Sequence, residues 1–106
     1  MTLPTPKPYT SSIVAIDLDG TLAEAVYPDS GIGQPIQKMV DAAIEYRARG
    51  HELAIYTSRP EDHRARIEQW LADNGLAGLF YRVVCGKFSY ALLVDDRAVN
   101  ADEILR

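Results

Sequence analysis

Apolar and polar positions divide this chain into short segments with two alternating periods. The stretch SIVAIDLDG, residues 12–20, is a β-branched apolar run closed by Asp and Gly, which predicts a strand buried on both faces. Residues 22–34 have no period, and Pro28, Gly31 and Gly33 mark turns or a small flap. Next, Pro35 stands at a first helical position, Ile36, Met39, Val40, Ala43 and Ile44 share one helical face, and Gly50 is a stop, so an amphipathic helix is predicted. ELAIYT predicts a second strand, and Pro60 followed by EDHRARIEQWLADNG predicts a second helix ending at Asn74 and Gly75. The apolar runs 81–85 and 91–94 predict two further short strands, and a last short helix is expected over 99–105.

Strands alternating with helices of this length predict an α/β domain, a parallel sheet of about four to five strands with helices on both faces. Sheets of this kind take their ligands outside the carboxyl ends of the strands. A chain of 106 residues accommodates one core. Residues 1–11, with Pro4, Pro6 and Pro8, read as an extended proline-rich arm rather than a secretory leader, and residues 12–106 as the domain.

Composition narrows the partners. Eleven Lys and Arg against fifteen Asp and Glu give a net charge of -4, which does not favour broad attraction to nucleic acid or an anionic membrane. Arg47, Arg49, Arg64 and Arg66 would either line a local basic face or solvate helices. No apolar run approaches the ~20 residues that cross a bilayer. The lone Cys85, in the run RVVC, reads as a buried thiol in a reducing compartment, so a cytoplasmic location is expected.

Each strand ends in residues with chemical use: Asp17-Leu18-Asp19-Gly20-Thr21, Thr57-Ser58-Arg59, Cys85-Gly86-Lys87 and Asp95-Asp96-Arg97. Singly, each has an ordinary explanation. Asp-x-Asp-Gly makes turns, Ser58 would cap the following helix, and a lone Lys87 would be solvated. An EF-hand loop fails because Leu22 and Pro28 stand where Gly and Glu are needed, and no P-loop sequence is present. Four such endings on one sheet edge are a stronger signal than any one of them.

Together they suit phosphoryl transfer through an aspartate. Asp17 is the candidate nucleophile, since a carboxylate that attacks phosphorus splits one difficult displacement into two easier ones. Asp19 would protonate the leaving oxygen and then activate water. The Thr57 hydroxyl, the Lys87 ammonium and backbone N–H groups near Leu18 and Asp19 would stabilise the phosphoryl oxygens, and Gly20 would allow the sharp turn. Ser58 and Arg59 are further candidates to touch the substrate. Asp17, Asp95 and a substrate phosphate gather negative charge, which calls for a hard cation with oxygen ligands, Mg²⁺.

These residues resemble the haloacid dehalogenase superfamily of aspartate-nucleophile phosphatases, and the resemblance implies a single Rossmann-like α/β core domain. DLDGT at 17–21 is similar to its first motif, the apolar run into Thr57 to its second, Lys87 to its third, and LLVDD ending at Asp95-Asp96 to its fourth; Phe88 departs from the family in standing where Pro is expected. The resemblance implies Mg²⁺ held by Asp17, the backbone carbonyl of Asp19, and Asp95, with Asp96 binding directly or through water. It also implies no cap domain, because only 35 residues separate Thr21 from Thr57 and 29 separate Thr57 from Lys87. An open site suits a polymer end or phosphoprotein, or a small phosphorylated metabolite if another copy of the chain covers it.

The expected activity is therefore a Mg²⁺-dependent phosphomonoester hydrolase. A phosphotransferase would use the same residues with an alcohol as acceptor. A non-catalytic phosphate-binding or receiver-like module is the rival of another class, although receivers place their acidic pair before the phosphoacceptor. Arg97 is expected to pair with Asp95 or Asp96, His51 and His63 to lie at the surface, and Trp70 with Ile67 and Leu71 to belong to the core.

Overall fold

The computed structural model describes residues 2–8, 11–26 and 31–106; Pro28 lies outside them. Three parallel strands, β1 (Ile13–Ile16), β2 (Glu52–Tyr56) and β3 (Arg82–Val84), form one sheet in the order β1-β2-β3. Ile13 aligns with Glu52 and Ala54 with Arg82. Helix α1 (Gln37–Ala48) joins β1 to β2, a 3₁₀ turn (Glu61–His63) and α2 (Arg64–Asp73) join β2 to β3, and α3 (Asp102–Leu105) closes the chain. All strand carboxyl ends therefore fall on one edge.

The central strand carries the core. Leu53, Ala54 and Ile55 of β2 are buried, and around them lie Met39, Val40, Ala42, Ala43 and Tyr46 of α1 and Ile67, Trp70 and Leu71 of α2. Burying each large side chain contributes about 1.5–3 kcal/mol. Trp70, a core residue as expected, also donates its indole N–H to the Gly33 carbonyl at 2.9 Å and so pins the flap after β1. The flap returns through an antiparallel bridge of Ala23 with Pro35, and the Ile36 N–H donates to the Leu22 carbonyl at 2.8 Å. The start of the chain docks as well: Leu3 is buried, and the Tyr46 hydroxyl donates to the Pro4 carbonyl at 2.6 Å.

Several expectations need correction. Helix α1 begins at Gln37, not at Pro35, because the Ile36 backbone is still extended while it bonds to the flap. Ile44 is exposed; Ala42 and Tyr46 are buried instead, which rotates the stripe round the helix. β1 is not buried on both faces, since Ile13 and Ala15 are exposed and only Ile16 is buried. Among the described residues the sheet has three strands, fewer than the four to five expected, and 91–94 is not one of them.

The connection explains the missing strand. The Lys87 N–H donates to the Thr57 carbonyl at 3.0 Å, which ties Lys87 to the carboxyl edge. A parallel strand beside β1 would have to start from the opposite edge, and such returns take a dozen or more residues. Only Phe88 to Tyr90 are available before the run begins at Ala91. The apolar run thus stays irregular, with Leu92 78% and Val94 90% exposed.

Candidate functional site

The loop after β1 folds round a single carbonyl. The N–H groups of Thr21, Leu22 and Ala23 all point to the Leu18 carbonyl, at 3.2, 3.0 and 2.9 Å, while the Leu18 side chain is buried in the core. Gly20 takes φ +78°, a conformation that costs glycine little, and donates its N–H to the Ala23 carbonyl at 2.7 Å. This turn leaves Asp17 and Asp19 at the sheet edge, both half-buried.

The ends of β2 and β3 are fastened beyond the strands themselves. The Thr57 N–H donates to the Val84 carbonyl at 2.9 Å and the Gly86 N–H to the Arg59 carbonyl at 2.9 Å. These bonds carry Lys87 to Asp17, with Nζ 3.8 Å from Oδ1. The ammonium also lies over the rings of Tyr56 and Tyr90, 5.3 and 5.6 Å from their centroids. Thr57 is buried, and its hydroxyl oxygen accepts the Arg59 N–H at 3.2 Å, leaving its own proton for another acceptor.

Arg59 takes a place the sequence did not indicate. Its Nε and Nη2 donate to the two carboxylate oxygens of Asp19, each at 2.8 Å, and Nη2 also donates to the Gly31 carbonyl at 2.8 Å. The guanidinium is 10% exposed, and the hydrogen bonds to Asp19 raise its pKa above the ordinary arginine range. Proximity of Arg59 to Thr57 in sequence was visible; the partner 40 residues away was not. His63, half-buried, stands 3.4 Å from the same guanidinium.

Ser58 does not cap a helix. The turn that follows begins after Pro60 and α2 after His63, neither with a side-chain cap bond, and Ser58 is exposed. Arg64 reaches Glu61 at 2.5 Å and the Val83 carbonyl, and Arg49 reaches Glu45 at 3.1 Å, so two of the four arginines that would form a basic face are engaged locally. Cys85 is half-buried, and burial pushes its thiol pKa up, with Arg64 opposing. His51, also half-buried, makes a 2.8 Å bond with the Ser12 carbonyl.

The four candidate metal residues are not gathered. Asp95 lines the same open cavity as Asp17, yet its Oδ1 accepts the Arg97 N–H at 2.6 Å, and Asp96 faces Arg97 Nε at 3.9 Å, a pairing with Arg97 as expected. Asp17 faces Lys87 and Asp19 faces Arg59. Among the described residues no group of three acidic, His or Cys side chains could hold a metal ion. The donor set expected for Mg²⁺ thus does not fit as it stands. No helix among the described residues is long and apolar enough to cross a membrane.

No protein-family model matches the chain, and no curated relative matches it. Two solved structures share its fold. A structural-genomics target from Vibrio cholerae aligns with a TM-score of 0.70 at 24% identity, covering 88% of this chain and 86% of that one. A conserved protein from Bacteroides thetaiotaomicron aligns with a TM-score of 0.57 at 23% identity, covering 88% of this chain and 85% of its own. At these identities the likeness is one of fold: the chain is similar to both as a small α/β domain with an open parallel sheet.

Proposed function

We propose that the chain is a capless phosphomonoester hydrolase of the haloacid dehalogenase type, with Asp17 as nucleophile. The observation that carries this reading is the meeting of Asp17, Asp19, Thr57 and Lys87, drawn from three strand ends, at one carboxyl edge, with Lys87 Nζ 3.8 Å from Asp17. In this reading Asp17 attacks phosphorus as the bond to the leaving oxygen breaks, and Asp19 gives that oxygen its proton. Water then attacks the aspartyl phosphate, handing a proton back to Asp19 and releasing phosphate. Lys87 and the Thr57 hydroxyl stabilise the charge on the phosphoryl oxygens throughout. Mg²⁺ would be the cofactor of this reading, held by Asp17 and Asp95 only once Asp95 leaves the Arg97 N–H, and no step above is routed through it. A phosphotransferase would differ only in the acceptor, and the open edge, which does not exclude water, favours hydrolysis.

One observation favours the rival, a phosphate-binding module without turnover: both oxygens of Asp19 are held by Arg59. Hydrolysis of a generic phosphomonoester, with Mg²⁺ or with EDTA, separates the two. The hydrolase reading expects metal-dependent turnover, loss to background in Asp17→Asn, and a loss of about 10²- to 10⁴-fold in Asp19→Asn. Phosphate binding with no turnover would establish the module instead.

A further inference from the structure

Four exposed or half-buried groups at this edge have no part in the chemistry above. Tyr56, Phe88 and Tyr90 line, with Asp17 and Lys87, one open cavity of about 860 Å³, within the range of small-molecule sites. Leu92 borders it too. Phe88 is 76% exposed and stands edge-on to Tyr90, with ring centroids 6.3 Å apart and planes at 76°. Large aromatic side chains are held out of water where a core is available. Here the tie from Lys87 to Thr57 keeps the segment at the edge, and its rings are presented beside the ammonium that would bind a phosphoryl group.

Resting on the hydrolase reading of this site, we infer that the substrate is a nucleoside monophosphate, its phosphate at Asp17 and Lys87 and its base stacked on the exposed face of Phe88, beside which Tyr90 stands edge-on. The spacing suits it. Phe88 follows Lys87 directly and lines the same cavity, which sets a ring site one residue from the phosphate site. Stacking is indifferent to which base is present, since every base has a π face. Phe88, the most exposed of the three rings, is not one of the two over which the ammonium lies, so Lys87 does not take its face. The net charge of -4 opposes a polynucleotide, whose affinity comes mainly from neutralised phosphates, and leaves the single nucleotide.

The test compares adenosine 5′-monophosphate with ribose 5-phosphate, which differ only in the base, on the full chain with Mg²⁺, by hydrolysis and by calorimetric binding. The nucleotide is expected to have the lower KM or Kd by about 5- to 150-fold, with kcat little changed. Phe88→Leu should remove much of that difference while changing the handling of ribose 5-phosphate far less, and Phe88→Tyr should retain it. Equal handling of the two compounds overturns the ring site and leaves the hydrolase reading standing. Tighter binding of the nucleotide with hydrolysis of neither keeps the ring site and removes the hydrolase. Binding of neither overturns the inference. A 5′-phosphorylated oligonucleotide bound well beyond the mononucleotide also overturns it, in favour of a polymer end.

Discussion

Replacing Arg59 by Leu removes a side chain that bonds at once to the loop after β1 and to the flap. Three hydrogen bonds of 2.8 Å are lost, two of them to the carboxylate of Asp19. Breaking a buried ion pair by removing one partner costs about 3–5 kcal/mol, and an exposed pair contributes about 0–1 kcal/mol. With Arg59 at 10% and Asp19 at 35% side-chain exposure, this pair lies between those limits, because water can reach the orphaned carboxylate but not surround it. A destabilisation of about 2–3 kcal/mol follows, a fall in Tm of roughly 8–12 °C for a domain of this length. Urea unfolding gives the free energy directly, with Arg49→Leu as control, since its pair with Glu45 is 39% and 43% exposed and should shift stability by less than about 0.5 kcal/mol. A double-mutant cycle with Asp19→Asn should return a coupling of about 1 kcal/mol or more. Arg59→Lys should recover less than half of the loss, because an ammonium cannot reproduce the two-pronged contact. Arg59→Leu unfolding within about 0.5 kcal/mol of the parent, level with the control, would refute the clamp.

Two further outcomes depend on other contacts. Gly33→Ala places a Cβ 2.2 Å from the Glu24 carbonyl oxygen, a backbone atom that cannot rotate away, so the flap must shift and the chain should lose about 2 kcal/mol or more by urea unfolding. The raised thiol pKa of Cys85 means the folded chain holds that proton more tightly than the unfolded one. Its stabilising effect is present below the ordinary thiol range and is lost as pH rises through the folded value. The alkylation rate of native Cys85 should therefore inflect at higher pH than in urea, and coincident profiles would contradict the burial argument.

What could be read from the sequence were features with a local cause. The three strands and two long helices follow from runs of apolar residues with a clear period, as in ELAIY and the Met39, Val40 and Ala43 stripe, and Gly50 and Gly75 follow helix ends with φ +95° and +71°. That Lys87 and Asp17 would share one edge was expected from the topology, because parallel strands bring their carboxyl ends together. The Arg59 fork and the bond from Trp70 to Gly33 were not legible, since both join residues far apart in sequence through side-chain direction, which no periodicity encodes. Ala91 to Val94 shows the opposite failure. Its composition is that of a strand, yet the three residues between Lys87 and Ala91 do not allow a parallel return, and chain geometry outweighs local preference.

The same short connection sets the character of the site. Because Lys87 is tied to the end of β2, the segment behind it cannot enter the sheet, and its apolar and aromatic residues border the cavity instead of filling the edge of β1. Asp95 consequently reaches the cavity from an exposed segment rather than from the end of a paired strand, and it turns to the Arg97 N–H instead of to Asp17. A strand would hold its carboxylate by backbone bonds on both sides, whereas here the bond from the Arg97 N–H to Oδ1 holds it. The rigid half of the site, Asp17, Thr57 and Lys87, is thus built on paired strand ends, and the half that would recognise a substrate's ring is built on the segment the sheet leaves out. That division suits an enzyme whose chemistry is positioned by the scaffold while its specificity is carried by exposed rings on a loop.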